Sequence, residues 1–209
     1  ADNHILVDRV RGVGKDLHSD DDDAEASSAD TLKSFDSQGF TVGLTTDIND
    51  KDTTYVAWTW KAGGSASSNS NGTITSSVSA NQDAGFSIVK YTGTGSAATI
   101  GHGLSNPPEF IIVKNLDDGT KNWNVYPTPL GNNYLELNKT GSTFSGSTYF
   151  NNTAPTDSVF SVGSAGSTNE GSDDFIAYCF HSVEGFSKIG SYIGNNSTDG
   201  PFVFTGFRP

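Results

Sequence analysis

Residues 175–180 read FIAYCF, and this stretch decides the fold. In a strand, successive side chains point to opposite faces. Here both sets are apolar: Phe175, Ala177 and Cys179 on one face, Ile176, Tyr178 and Phe180 on the other. A strand that is apolar on both faces sits inside a sheet covered by a layer on each side. No other segment carries an apolar stripe at helical spacing, so helix beyond a single turn is not expected.

The same pattern occurs earlier. Residues 55–60, YVAWTW, precede FIAYCF by 120 positions, and GFTVG around Phe40 precedes VFSVG around Phe160 by the same 120. HILVDRVRG from His4 matches WNVYPTPLG from Trp123 at 119. Three blocks in one order at a near-constant offset indicate an internal repeat. A fourth block, GFS at Gly85 and again at Gly185, is offset by 100. The difference falls in residues 63–84, a Ser/Asn/Gly-rich segment whose composition predicts a linker or long loop.

These offsets divide the chain. Residues 85–184 form one complete module, and residues 1–62 match the rear part of a second. Residues 185–209 match the leading strands of a further one, poised to complete 1–62 within the chain or in a neighbour. Short β-branched and aromatic runs predict strands at 86–92, 97–101, 109–115, 122–126, 133–138, 147–151, 158–163 and 174–183. Strands spaced this closely give an all-β fold of antiparallel, jelly-roll-like β-sandwich modules in a tandem repeat of about 120 residues. Residues 1–62 and 123–183 should then superpose strand for strand. Trp58, Trp60, Phe160, Phe175 and Phe180 are expected in the core, and Cys179 as a buried, inert thiol.

Composition narrows the function. The 209 residues include 24 glycines and no methionine, even at the start, as expected of a processed or excerpted chain. Formal net charge is −12, which opposes nucleic-acid binding, because that needs a basic surface to neutralise phosphates. No apolar run approaches the roughly 18 residues of a membrane span.

Candidate chemistry is sparse. Asp20, Asp21, Asp22, Asp23 and Glu25 offer carboxylate oxygens of the kind calcium takes, as does DINDKD at 47–52, but a solvated loop is the better reading of both. His4, His18, His102 and His181 lack the paired spacing of a zinc site. His102, between two glycines, reads as a turn residue. No G-x-S-x-G elbow is present. Trp123, Tyr126 and Tyr134 are the candidates for contact with a glycan. Sequons at Asn71, Asn138, Asn151, Asn195 and Asn196 are expected by chance in so Asn/Ser/Thr-rich a chain.

The strings YVAWTWKAGG, GFSIVKYTGTGSAATIGHGLSNPPEFIIVK, NNTAPTDSVFSVG and VEGFSKIGSYIGNNSTDGPFVFTGFRP resemble a repeat-bearing family of virion structural proteins. That family occurs chiefly in tailed phages of marine and freshwater bacteria, often in tail fibres or appendages. The resemblance implies a structural protein at the virion surface, and the lack of a nucleophile, metal or acid–base constellation in the sequence adds the expectation of no catalysis and no cofactor. Its partners would be copies of itself, joined by strand exchange or edge pairing, other virion proteins, and host surface polysaccharide. The alternatives are a secreted carbohydrate-binding lectin or fibre-forming surface protein and, more weakly, a glycan-degrading enzyme.

Overall fold

The computed structural model describes residues 3–209. In chain order the elements are β1 (Ile5–Leu6), β2 (Lys15–His18), β3 (Ala26–Ser27), β4 (Leu32–Phe35), β5 (Phe40–Val42), the helical turn α1 (Thr46–Asn49), β6 (Ser67–Asn69), β7 (Ser76–Asn81), β8 (Phe86–Thr92) and β9 (Ala98–Gly101). They continue with β10 (Phe110–Asn115), β11 (Asn124–Pro127), β12 (Asn133–Glu136), β13 (Phe144–Ser145), α2 (Ser147–Phe150), β14 (Val159–Val162), α3 (Gly166–Asn169) and β15 (Asp174–Phe180). The fold is all-β, as its sequence pattern requires.

One antiparallel sheet of eight strands, in the order β13-β12-β11-β10-β15-β8-β7-β6, organises the molecule. FIAYCF lies in its middle as β15, paired to β10 on one edge and to β8 on the other. Phe175, Ala177 and Cys179 face one apolar layer with Val89, Tyr91, Ile111 and Val113, closed by Ile100, Phe160 and Val162 from the β9–β14 pair. Ile176 and Tyr178 face the opposite layer with Trp123 and Leu17. Leu17 belongs to the small sheet β1-β2-β3, which covers that face. Phe180, at the end of β15, is half-buried and stacks on Phe86 at 4.8 Å.

Residues 63–84 are not a linker. β6 and β7 extend the main sheet beyond β8, and Val78 enters the core. Small side chains suit this edge because the backbone approaches closely: Ser76 Oγ donates to Gly101 O at 2.8 Å and Ser79 Oγ to Gly64 O at 2.8 Å. Composition alone gave the wrong answer, because ladder hydrogen bonds do not need large side chains. Residues 147–151, expected as a strand, instead form the turn α2, whose Phe150 is buried.

Pairing registers recur along the chain. Leu6 faces Leu17 and Ile5 faces His18, while Val125 faces Leu135 and Asn124 faces Glu136. Lys15 faces Ser27 and Asp16 faces Ala26, while Asn133 faces Ser145 and Tyr134 faces Phe144. Gly43 N bonds to Thr31 O and Gly163 N to Tyr149 O. Asn49 Nδ2 reaches Gly43 O at 2.6 Å, and Asn169 Nδ2 reaches Gly163 O at 2.7 Å. The left-handed positions Gly12 and Asp52 match Gly131 and Ser172.

The correspondence fails at YVAWTW. Residues 54–60 are extended but pair with no strand, and all are exposed. Trp58 and Trp60, expected in the core, are 79% and 61% exposed. β15 is a strand because β8 and β10 hold its two edges, and nothing in the described residues does this for 55–60. Residues 188–209 likewise form no strand and do not complete 1–62.

Candidate functional site

The three glycan candidates are structural. Trp123, Tyr126 and Tyr134 are all buried. Trp123 lies under β2, its indole N–H donating to His18 O at 2.8 Å. Tyr126 packs on Phe150, and Tyr134 on Tyr149 and Phe144. A sugar ring has no access to these faces.

His102, beside the left-handed Gly103, is buried. Nδ1 accepts from Leu104 N at 3.2 Å, so Nε2 carries the proton and donates to Thr156 O at 3.1 Å. Burial lowers its pKa, against support from the Thr156 carbonyl, and the ring is a neutral strut. Cys179 is buried in the core as expected, and burial pushes its thiol up to about 12.

The acidic run has a use that its sequence did not reveal. The Lys114 side chain is fully buried, and Nζ donates to Asn115 O at 2.8 Å and Asp22 O at 3.3 Å. Burial pulls its pKa down to about 8, against the charges of Asp22, Asp118, Asp21 and Asp23. The acidic loop is thus the counter-charge for a buried ammonium. His18, Asp21 and Asp23 also converge, with ligand atoms within 4.8 Å of one another. These groups are already engaged: Asn3 Nδ2 lies 3.0 Å from both His18 Nδ1 and Asp21 Oδ2, and Asp23 N donates to Asp21 Oδ1. In DINDKD, Asp47 Oδ2 takes the Thr45 hydroxyl and Asp50 Oδ1 the Lys51 N–H, as in an ordinary loop.

A second buried network was also missed from sequence. Asp8 accepts from Val10 N, Arg11 N, Arg11 Nε at 2.5 Å and Tyr178 Oη at 2.7 Å. Arg11 also donates to Lys15 O and Leu6 O. Burial opposes its charge, but Tyr178, Asp8 and Glu25 outweigh that and raise its pKa. The network fixes the β1-β2-β3 sheet to β15. The motif DRVRG holds these residues, but nothing local shows that they are buried.

The best-formed depression, about 430 Å³, is open and lined by Ser65, Ser67, Ser68, Asn69 and neighbouring small residues, with no titratable side chain. Far more apolar surface lies on two segments that belong to no strand, although Ser187 bridges back to Val183. One is 55–60, with Tyr55, Val56, Trp58 and Trp60 exposed. The other is 186–204, with Phe186, Tyr192, Ile193, Phe202, Val203 and Phe204 exposed. The Trp60 ring meets Phe180 edge-on at 6.4 Å, at the end of β15. These segments can offer backbone donors and acceptors to a partner strand, and large apolar side chains to cover it.

A family model described as "Domain of unknown function (DUF7483)" matches residues 1–209. No curated protein and no solved structure matches the chain.

Proposed function

We propose, on the premise that the chain belongs to the DUF7483 family, that it is a non-enzymatic structural module of a virion surface assembly such as a tail fibre or appendage. The observation that carries this reading is the pair of exposed apolar segments outside any strand, 55–60 and 186–204, the second held only by the local bridge of Ser187 to Val183. Folded monomers rarely expose large contiguous apolar patches, and an unpaired strand is a template for another chain. On this reading the chain is built from jelly-roll-like sandwich modules repeated at about 120 residues, which the matched registers of β1-β2-β3 and β11-β12-β13 support. The virion assignment rests on the motif resemblance. A net charge of −12 suits a surface exposed to the medium. Copies of the chain and other virion proteins are its partners.

Negative-stain microscopy with sedimentation tests this. Fibres, rings or discrete oligomers are expected, and a monomer at every concentration would overturn the assembly reading. Turnover of a polysaccharide, lost on changing one carboxylate, would overturn the non-enzymatic one.

A carbohydrate-binding lectin is the second reading, favoured by one observation. Trp58 and Trp60 are exposed and two residues apart in sequence, a spacing that in a strand puts side chains on one face about 7 Å apart. Such flat apolar rings suit sugar faces. A glycan array with the intact chain and Trp58→Ala decides: binding lost in the variant supports the lectin, and no binding removes it.

A further inference from the structure

Resting on the assembly reading, we infer that residues 186–204 of one copy pair antiparallel with residues 40–60 of a second copy, in the register that joins β8 and β9 to β15 and β14 within the chain. The argument begins with matched residues that differ in burial. Phe160 is 1% exposed, but its counterpart Phe40 is 42% exposed. Val162 is buried and Val42 only half-buried. Tyr178 is buried, and its counterpart Trp58 is exposed. Asn169 is buried and Asn49 exposed, although both make the same bond to a glycine carbonyl. The two copies of this surface are alike in chemistry and differ in what covers them.

The covering elements of the complete copy are known. β8 pairs with β15, placing Tyr91 opposite Phe175, Val89 opposite Ala177, Ser87 opposite Cys179 and Phe86 opposite Phe180. β9 pairs with β14, placing Ile100 opposite Phe160. The loop between them is clamped by Asn169, whose Oδ1 accepts from Thr94 N and whose Nδ2 donates to Ser96 O. The first set, residues 40–60, has none of this cover.

The chain carries one further copy of the cover. Residues 185–209 repeat the sequence of 85–108, and they repeat its backbone bends too. Positive φ occurs at Gly85 and Gly185 (63° and 76°), at Gly95 and Asn196 (72° and 51°), and at Gly103 and Gly206 (73° and 83°). The segment therefore already holds the turns of β8–β9, and its one backbone pairing is the local bridge of Ser187 to Val183, which opens when Ser187 takes a partner strand. Transferring the registers sets Phe186 opposite Trp60, Ser187 opposite Thr59, Ile189 opposite Ala57 and Val203 opposite Phe40. Asn49 then faces the backbone of residues 195–197, as Asn169 faces that of 94–96. The other edge of 55–60, held by β10 in the template, has no counterpart strand among the described residues.

Donor and acceptor lie on different surfaces of one molecule, so the contact is head-to-tail. It builds a ring if the rotation closes and a filament if it does not.

Disulfide trapping tests the register. In an antiparallel pair, opposite Cα atoms lie about 5.5 Å apart, within the reach of a disulfide. Sliding by four residues moves a partner by about 13 Å, beyond that reach. Full-length Thr59→Cys and Ser187→Cys proteins are mixed and oxidised, and Thr59→Cys mixed with Ser191→Cys serves as the out-of-register control. A heterodimer formed several-fold above the control is expected. If the intact chain self-associates in sedimentation but this heterodimer does not exceed the control, the register is wrong while the assembly reading survives. If the double variant Thr59→Cys/Ser187→Cys closes within one chain, the occupant is the chain's own tail and the second copy is excluded. A monomeric chain with no cross-link of either kind would remove both the inference and the assembly reading.

Discussion

Replacing Asp8 by alanine tests how the β1-β2-β3 sheet is held to the core. The Asp8 and Arg11 side chains are 4% and 1% exposed, and the carboxylate takes four hydrogen bonds. Breaking a buried ion pair from one side typically costs about 3–5 kcal/mol. The guanidinium keeps Glu25 at 3.3 Å and two carbonyls, which places the charge loss near the lower end, about 3 kcal/mol. The orphaned Tyr178 hydroxyl adds about 1 kcal/mol or more. The expected total is about 4 kcal/mol, and about 1 kcal/mol of it should return in Asp8→Ala/Tyr178→Phe, where no hydroxyl is stranded. Urea unfolding followed by Trp123 emission reads this, because that indole is buried under β2 and bonded to His18 O. A loss below about 1 kcal/mol for Asp8→Ala would refute the idea that a buried charge network fixes the sheet.

Other expectations follow from the same structure. Lys114 titrates near 8 in the folded chain against 10.5 when unfolded, so between those values the unfolded state binds more protons and stability rises with pH. Tyr178 and Cys179 act in the opposite sense at higher pH, because their folded pKa values are raised. The stability of the wild type relative to Lys114→Met should therefore increase by about 1.4 kcal/mol per pH unit above pH 8, and a flat difference would contradict the buried ammonium. Phe175→Ala, in the core, should cost about 3–5 kcal/mol, whereas Trp60→Ala should change monomer stability by well under about 1 kcal/mol. Thermal melts of the dilute protein distinguish these, and equal losses would place Trp60 in the core after all. Asn169→Ala should destabilise by about 2 kcal/mol or more, since it strips Thr94 N and two carbonyls of partners, while Asn49→Ala, which loses only the bond to Gly43 O, should cost about 1 kcal/mol in the monomer.

The centre of the fold was legible because β15 is apolar on both faces, and β8 and β10 give that pattern an interior place in the sheet. β1 and β2 pair antiparallel as β11 and β12 do, 118–119 positions further on. What failed was inference from likeness of sequence to likeness of environment. YVAWTW has the pattern of FIAYCF but not its neighbours, and a strand exists only where its edges are paired. Residues 63–84 failed for the opposite reason, because serine-rich backbone can join a ladder if the facing strand comes close. Trp123, Tyr126 and Tyr134 were misplaced because aromatic residues near turns read as surface, whereas β2 and α2 fold over them. Lys114 under the acidic loop joins residues far apart in the chain, Asp22 and Lys114, and no local signal marks such a pair.

Hydrogen exchange over a concentration series is the most direct test of assembly through unpaired strands. Amides of 55–60 and 190–193, which carry no hydrogen bond among the described residues, should be unprotected in dilute protein and gain protection together as concentration rises, while β8 and β15 stay protected throughout. Segments that exchange at the unprotected rate even when the protein sediments as a large particle would contradict it, because the particle would then be held by some other surface.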